Sequence, residues 1–171
     1  MKRMIAMTLA LMLLLGLTAC GGAAPADDGK YTIGICQLVT HDALDAATKG
    51  FQDAVIAGLG EENVTFDLQN AAGDSNTCAS IANAFVAAEV DLIMANATPA
   101  LQNAQAATAD IPILGTSVTE YGVALDIKDF TGTVGGNVSG TSDLAPLDEQ
   151  AAMLQEWFPD AKNVGLLYCS A

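Results

Sequence analysis

The stretch that decides the fold runs from residue 32 to residue 59 and reads TIGICQLVTHDALDAATKGFQDAVIAGL. Its first eight residues, Thr32 to Val39, form an apolar run with several β-branched side chains, which is typical of a buried strand. From Ala43 to Leu59, apolar residues recur at three- and four-residue spacing, which indicates an amphipathic helix. We expect Gly58 and Gly60 to end this helix. The stretch therefore predicts a strand followed by a helix.

The same alternation continues to residue 119. Further buried strands are predicted over residues 64–68, 91–95 and 113–116, with helices between them. Repeated strand–helix units predict the α/β class, with a parallel sheet, helices on both faces and right-handed crossovers.

Two of the helices carry start signals. Asp74 and Ser75 suit an N-cap, and Thr98 is expected to cap the following helix with Pro99 at its first position. The predicted buried side of the helix after Asp74 consists of Ile81, Ala84, Phe85 and Ala88.

The pattern weakens between residues 120 and 143, where five glycines separate short β-like pieces at 123–127 and 138–141. A helix over residues 146–158 and another buried strand over 164–168 follow. That last strand is either the edge of the same sheet or the start of a second lobe. The first alternative gives one domain, and the second gives a chain that ends early in another.

The N-terminus has the features of a bacterial lipoprotein leader. Lys2 and Arg3 precede an apolar run that is too short to span a bilayer, which needs about 20 apolar residues. Residues 17–20 (LTAC) resemble a lipobox, in which the thiol of Cys20 receives a diacylglyceryl group; an ordinary cleaved signal is the alternative. Residues 1–19 are thus predicted to be a signal peptide, and residues 20–30 a lipidated flexible tether on the extracytoplasmic face of the cell membrane.

Charge limits the partners. The chain has six basic and twenty acidic residues, and residues 20–171 keep four lysines against all twenty acids, a formal charge of −16. Binding to nucleic acid needs clustered cations, so we expect none. Contact with a membrane is expected through the lipid anchor only, since anionic headgroups repel such a surface.

Motifs for catalysis are absent from the sequence. It contains no GxxxxGK[ST] loop, no GxGxxG turn after the first strand and no GxSxG elbow. Cys36, Cys78 and Cys169 lack metal-ligand spacing, so we expect neither a metal nor a cofactor. Cys36 lies in the first strand and is interpreted as a core residue, with a disulfide as the alternative.

The remaining signal is a binding geometry. In open parallel sheets, ligands bind beyond the carboxyl ends of strands, where helix N-termini present their N–H groups. Hydroxyls and other polar groups dominate these positions at residues 37–42, 96–99 and 116–119. Thr40, Asp42 and Thr98 serve either as helix caps or as ligand contacts, and His41 alone is typical of a surface or capping residue.

Spaced motifs then resemble one family of ABC-transporter substrate-binding proteins, which includes tryptophan- and tyrosine-uptake lipoproteins. The matching segments are IGI at 33–35, QLV at 37–39, HxALDA at 41–46, KGF at 49–51, QNAxGD at 69–74, ATPA at 97–100, IPI at 111–113, VT at 118–119 and GNVSGTSD at 136–143. The family commonly has Asp-Pro after Val-Thr, where this chain has Glu120-Tyr121. That difference leaves the substrate open and lets Tyr121 stack on it.

The resemblance implies a periplasmic-binding-protein fold of type I, in which two lobes close on a small solute. Residues 31–143 would form the first lobe with its crossover, and residues 144–171 the first helix and strand of an incomplete second lobe. Asp143 would pair with a ligand ammonium, and helix N-termini would take its carboxylate. The implied ligand contacts are Thr40, His41, Ala97, Thr98, Pro99, Ser117, Val118, Thr119, Ser142 and Asp143.

The predicted function is therefore that of a solute-binding lipoprotein, which captures a small molecule and delivers it to an ABC permease with its ATPase. The expected ligand is an amino acid, with aromatic amino acids included. An extracytoplasmic sensor that presents the solute to a chemoreceptor or signalling kinase is the alternative. An α/β enzyme is a third class, but it lacks a catalytic cluster, so no enzymatic activity is expected.

Overall fold

A computed structural model describes residues 29–167, which contain one five-stranded sheet with helices packed on it. The strands in this range are β1 (Tyr31–Gln37), β2 (Val64–Asn70), β3 (Leu92–Asn96), β4 (Ile113–Val118) and β5 (Val138–Ser142). The helices are α1 (Asp42–Leu59), α2 (Ser75–Ala87), α3 (Thr98–Ala107), α4 (Tyr121–Ala124) and α5 (Leu147–Trp157).

All five strands are parallel and lie in the order β2-β1-β3-β4-β5. The chain steps from β1 to β2 on one side and then returns to β3 on the other, so the direction of winding reverses between β1 and β3. Helix α1 packs on one face of the sheet, and α2 and α3 pack on the other. The predicted fold class, a parallel α/β sheet covered on both faces, is confirmed.

Alternate side chains of the central strands enter two apolar cores. Ile33, Ile35 and Met94 face α1, where Phe51 and Val55 pack against them. The larger core lies under α2 and α3 and includes Cys36, Cys78, Ile81, Phe85, Ile93, Ala95, Leu101, Ile113 and Val118. Because both faces are covered, the strands read as nearly continuous apolar runs.

The predicted inward face of α2 needs a correction. Asp74 caps the helix as expected, and its carboxylate accepts hydrogen bonds from the backbone N–H groups of residues 76 and 77 at 2.6 and 3.1 Å. Ile81 and Phe85 are buried, but Ala84 and Ala88 are exposed. Cys78 and Ala82 occupy the inward positions instead, since the buried stripe follows the spacing 78, 81, 82 and 85.

The connector between β4 and β5 contains a short helix where the sequence suggested a β-like piece. Glu120 makes the difference, because its carboxylate accepts hydrogen bonds from the N–H groups of Gly122 at 2.8 Å and Val123 at 2.6 Å. These bonds cap α4 and turn the chain into a helix. The second predicted piece is confirmed as β5.

The predicted C-terminal helix is present as α5, but its apolar side chains are exposed: Trp157 is 65% exposed, and Phe158, the residue after the helix, is 57% exposed. The buried strand predicted over residues 164–168 is wrong for its described part. Residues 164–167 form no strand, and Leu167 is 99% exposed. An apolar run becomes a buried strand only beside a partner, and the five strands described above pair only with one another.

The predicted leader (1–19), Cys20, most of the predicted tether (20–30) and Cys169 lie outside the described residues. The division at residue 143 into one lobe and the start of another stays a prediction. No helix within residues 29–167 combines the length and apolar character that crossing a bilayer requires.

Candidate ligand-binding site

The loops that follow β1, β3, β4 and β5 lie side by side at the carboxyl edge of the sheet. Backbone hydrogen bonds connect them: Leu38 N–H donates to the Asn96 carbonyl at 3.2 Å, and Ala97 N–H donates to the Thr116 carbonyl at 3.0 Å. Asp143 N–H donates to the Val118 carbonyl at 3.1 Å. The structure therefore brings the sequence-predicted site segments together along one edge.

The reversal of winding between β1 and β3 places two helix N-termini at this edge, with α1 on one face and α3 on the other. Such a position is where open α/β sheets bind ligands. The α1 terminus is capped by His41, whose Nδ1 accepts a hydrogen bond from the Ala43 N–H at 3.2 Å. The cap is thus His41 rather than Thr40 or Asp42.

The α3 terminus differs from the prediction. Ala97 is its N-cap, Thr98 is already the first helical residue, and no side chain caps this end. The expectation that Thr98 caps the helix with Pro99 at its first position is therefore wrong by one residue. The Thr98 hydroxyl and the first N–H groups of α3 remain as polar groups at the predicted ligand position.

The backbone is strained at the same point. Ala97 has φ 93° and ψ 159°, a region that is essentially restricted to glycine, and Ser117 near the end of β4, where the register with β5 shifts, has φ 55°. Each such residue costs about 1–3 kcal/mol and tends to occur at ligand-binding positions. Ala97 and Ser117 are both among the residues predicted to contact ligand.

The β4 and β5 ends of the edge are tied together by Ser142. Its hydroxyl donates to the Thr119 carbonyl at 2.7 Å and accepts a hydrogen bond from the Leu144 N–H at 3.2 Å. Asp143 is exposed beside them, whereas the side chain of Val118 is fully buried and belongs to the core. Thr119 and Ser142 also line a cavity of about 610 Å³ that extends past β5.

Tyr121 lines the same cavity as Thr119 and Ser142 but exposes little surface, and its stacking on a substrate stays a prediction. It is 6% exposed, and its hydroxyl donates to the Thr141 carbonyl at 3.1 Å. Its ring lies against Gly115 and Gly140, where a Cβ would collide with the phenol. Burial raises the pKa of Tyr121, and Asp143 adds to the effect. Tyr121 holds β4 to β5 from beneath.

Sequence reasoning missed a row of polar side chains at the last register position of the sheet. Gln37 lies directly between Asn70 on β2 and Asn96 on β3, and Asn96 pairs with Thr116 on β4. Gln37 and Asn96 are 4% and 0% exposed. Gln37 and Asn96 begin two of the polar segments that the sequence analysis assigned to strand ends, but only the register shows that they and Asn70 are neighbours.

Asn70, the outermost member of this row, contacts the loop that follows β1 (residues 38–41), the first ligand loop. Asn70 Nδ2 donates to the Thr40 hydroxyl at 3.1 Å. At the other end, the hydroxyls of Thr116 and Thr141 lie 3.4 Å apart. The polar row therefore runs under the candidate contacts from β2 to β5.

The described cysteines take no part in this edge. Cys36 and Cys78 are free and buried in the larger core, which supports the interpretation of Cys36 as a core residue over the disulfide. Burial, with a smaller contribution from Cys78, raises the pKa of the Cys36 thiol to about 12. Within residues 29–167 no group of three metal-ligating side chains comes together.

The fold and this edge agree with a family match. The model of the ABC transporter substrate binding protein family matches residues 32–171. The chain belongs to this family.

The chain is also similar to individual proteins. The tyrosine-binding protein of Clostridioides difficile strain R20291 is 40% identical over 96% of this chain and 50% of the relative. A ligand-free, open structure of a substrate-binding protein with adhesive properties from Clostridium difficile is 43% identical and has a TM-score of 0.69 over 77% of this chain. An ABC domain in complex with L-Trp from Streptococcus pneumonia is 35% identical over 74% of this chain, with a TM-score of 0.67.

Coverage of these relatives is partial. The chain spans 50% of the tyrosine-binding protein and 45% and 43% of the two solved structures. The similarity therefore concerns about half of each relative.

Proposed function

We propose that this chain supplies one wall of an amino-acid receptor, in which the carboxyl edge of the sheet and a second lobe enclose the ligand. The family match and the two relatives that are described with tyrosine or L-Trp support an aromatic amino acid as the ligand class. The receptor binds its ligand without turnover and delivers it to an ABC permease and its ATPase.

The observation that carries this proposal is the uncapped N-terminus of α3 behind the strained Ala97. Its N–H groups, with the positive end of the helix dipole, suit a carboxylate. The Thr98 hydroxyl supplies another donor. Exposed Asp143 on the β5 side of the same edge supplies the negative charge for the ligand ammonium. A zwitterionic amino acid fits this pair of opposite groups.

The exposed apolar residues of α5 and of residues 164–167 fit the proposed second lobe. Leu147, Leu166 and Leu167 are each more than 60% exposed, and a second α/β lobe would give them apolar neighbours.

We also propose attachment through diacylglycerylated Cys20 on the extracytoplasmic face of a bacterial membrane. More than one acyl chain gives stable anchoring, since each buried CH₂ contributes about 0.8 kcal/mol. Growth with radiolabelled fatty acid tests this. The native protein should carry label and a Cys20→Ala variant should not; label on both, or on neither, contradicts the proposal.

Mass spectrometry of the molecules that are released from the native protein, purified as its host produces it, tests the ligand class. We expect tyrosine, tryptophan or phenylalanine, and thermal-shift screening of all twenty amino acids should rank the same group first. A released sugar or metal chelate would contradict the proposal. Loss of radiolabelled amino-acid uptake in a deletion strain would support delivery to a permease, whereas unchanged uptake would favour sensing.

A further inference from the structure

Three buried polar side chains beneath α1 form a connected network. Thr48 Oγ1 donates to Gln37 Oε1 at 2.7 Å and accepts a hydrogen bond from Asn96 Nδ2 at 3.0 Å. Each of these residues is 4% exposed or less. Gln37 and Asn96 are also direct partners in the β1–β3 register. The network therefore joins the last position of two strands to the second turn of a helix.

Gln37 and Asn96 also donate hydrogen bonds to groups in and just after the first ligand loop, residues 38–41. Gln37 Nε2 donates to the Val39 carbonyl at 2.9 Å and to Asp45 Oδ1 at 2.5 Å. Asn96 Nδ2 donates to the Leu44 carbonyl at 2.8 Å. The bonds thus bracket residues 40 and 41, the first two candidate contacts, from both sides.

Asn96 occupies the central place because its backbone serves the same loops. Its carbonyl accepts the hydrogen bond from Leu38 N–H described above, and the next residue is the strained Ala97. Asn96 therefore connects the loop before α1 to the loop before α3, across the reversal between β1 and β3.

Stability alone gives little reason for an amide at this position. Asn96 Oδ1 is buried and lacks a hydrogen-bond partner among the described residues. The two hydrogen bonds from Nδ2 contribute about 0.5–1.5 kcal/mol each, and the unsatisfied buried acceptor costs about 1–3 kcal/mol, so the amide has little net advantage in stability over an apolar side chain of the same size. The oxygen cannot exchange places with the nitrogen, because it would then face the Leu44 carbonyl.

We propose that Asn96, with Thr48 and Gln37, is a positioning residue that holds the two helix N-termini of the ligand site in their binding arrangement. The inference rests on the proposed function. It predicts that breaking the network lowers affinity more than the accompanying loss of stability would suggest, because a loop that must be ordered on binding costs affinity.

The variant is Asn96→Leu in the native protein, and the matched control is Asn137→Leu. Asn137 Nδ2 likewise donates to two carbonyls, those of Thr108 at 3.2 Å and Ile111 at 2.7 Å, but at the opposite edge of the sheet. We expect Asn96→Leu to raise the Kd for the bound amino acid about tenfold or more, a loss of about 1.4 kcal/mol. Asn137→Leu should change it less than about twofold.

A second pair of variants separates positioning from packing. Thr48→Ser keeps the hydroxyl and should retain affinity, whereas Thr48→Val keeps the shape and should lose it. Equal Kd values for Asn96→Leu and Asn137→Leu, or for Thr48→Val and Thr48→Ser, would overturn the proposal.

Hydrogen exchange of ligand-free protein distinguishes this inference from the proposed function, since it needs no ligand. Amides of residues 38–45 should exchange faster in Asn96→Leu than in the Asn137→Leu control. If exchange is faster in Asn96→Leu but the protein binds no amino acid, the role of Asn96 in holding this loop is supported and the proposed function is contradicted. Unchanged exchange would sink the positioning role itself.

Discussion

Replacing Ala97 by glycine should relieve strain rather than weaken the fold. Ala97 has φ 93° and ψ 159°, which an alanine adopts at a cost of about 1–3 kcal/mol. Glycine removes that cost but adds about 0.4–1 kcal/mol of unfolded-state entropy. It also gives up one buried methyl group, worth about 0.8 kcal/mol. We therefore expect a change in the free energy of unfolding between a loss of about 0.8 and a gain of about 1.8 kcal/mol, with a gain of about 0.5 kcal/mol at the midpoint of the three magnitudes.

The matched control is Ala54→Gly on an exposed, ordinary helical position of α1. It has the same entropic penalty with no strain to relieve, so it should lower the free energy of unfolding by about 0.5–1 kcal/mol. Urea denaturation of both variants beside the wild type measures the difference. A loss of about 1.2–1.8 kcal/mol in Ala97→Gly, which the entropy and the lost methyl group produce by themselves, would show that Ala97 is not strained.

The same substitution should weaken ligand binding. Glycine lets the loop before α3 sample more conformations, and the binding one must then be selected at an entropic cost. A variant that is as stable as the wild type or more so, but has a higher Kd in calorimetry, would show that the strain is kept for the site. Undiminished affinity would contradict this.

Three further outcomes follow from particular contacts. Thr98→Val should weaken binding about tenfold, because it removes a hydrogen bond to a charged group of the ligand. The melting temperature should stay within about 2 °C of the wild-type value, because Thr98 is not the N-cap. A large fall in melting temperature with unchanged Kd would contradict this prediction. Gly140→Ala should cost about 1–3 kcal/mol in chemical denaturation because its Cβ would meet both the Gly115 carbonyl and the Tyr121 hydroxyl. Gly50→Ala has open space and should stabilise, so equal effects would refute the close packing at Gly140. Burial raises the folded-state pKa of Cys36 to about 12, so the free energy of unfolding should fall as the pH rises above about 9, by up to about 1.4 kcal/mol per pH unit. Urea denaturation of Cys36→Ala should show a smaller decrease over the same pH range.

The alternation of strands and helices up to residue 119 was predictable because its signals are local. Apolar runs such as that of β1 and the periodicity of α1 need no knowledge of distant residues. The inward face of α2 was less certain, since an alanine-rich helix offers several stripes of similar apolarity. Here Cys78 and Ala82 face the sheet and Ala84 does not.

The site was predictable in outline but not in its supports. Strand ends in a parallel sheet meet at one edge whatever their sequence, so Thr40 and Thr98 could be grouped in advance. The network of Gln37, Thr48 and Asn96 depends on strand register and on the placement of α1, which no single segment encodes. The positive φ of Ala97 likewise could not be predicted, because an alanine in the sequence gives no sign of an unusual backbone conformation.

The strand predicted near the C-terminus was wrong for a different reason. Residues 164–167 have the composition of a buried strand, but burial is a property of neighbours. In the described part of the chain nothing pairs with them, and they stay exposed.

The central claim, an amino-acid site at the carboxyl edge of this sheet, is tested most directly by isothermal titration calorimetry of the native protein. L-tyrosine and L-tryptophan should each be titrated, with tyramine and tryptamine, which lack the carboxylate, as matched ligands. We expect saturable binding of at least one of the two amino acids and at least about tenfold weaker binding of its amine counterpart, because the α3 N-terminus binds the carboxylate. Binding of neither amino acid, or equal affinity for an amino acid and its amine, would contradict it.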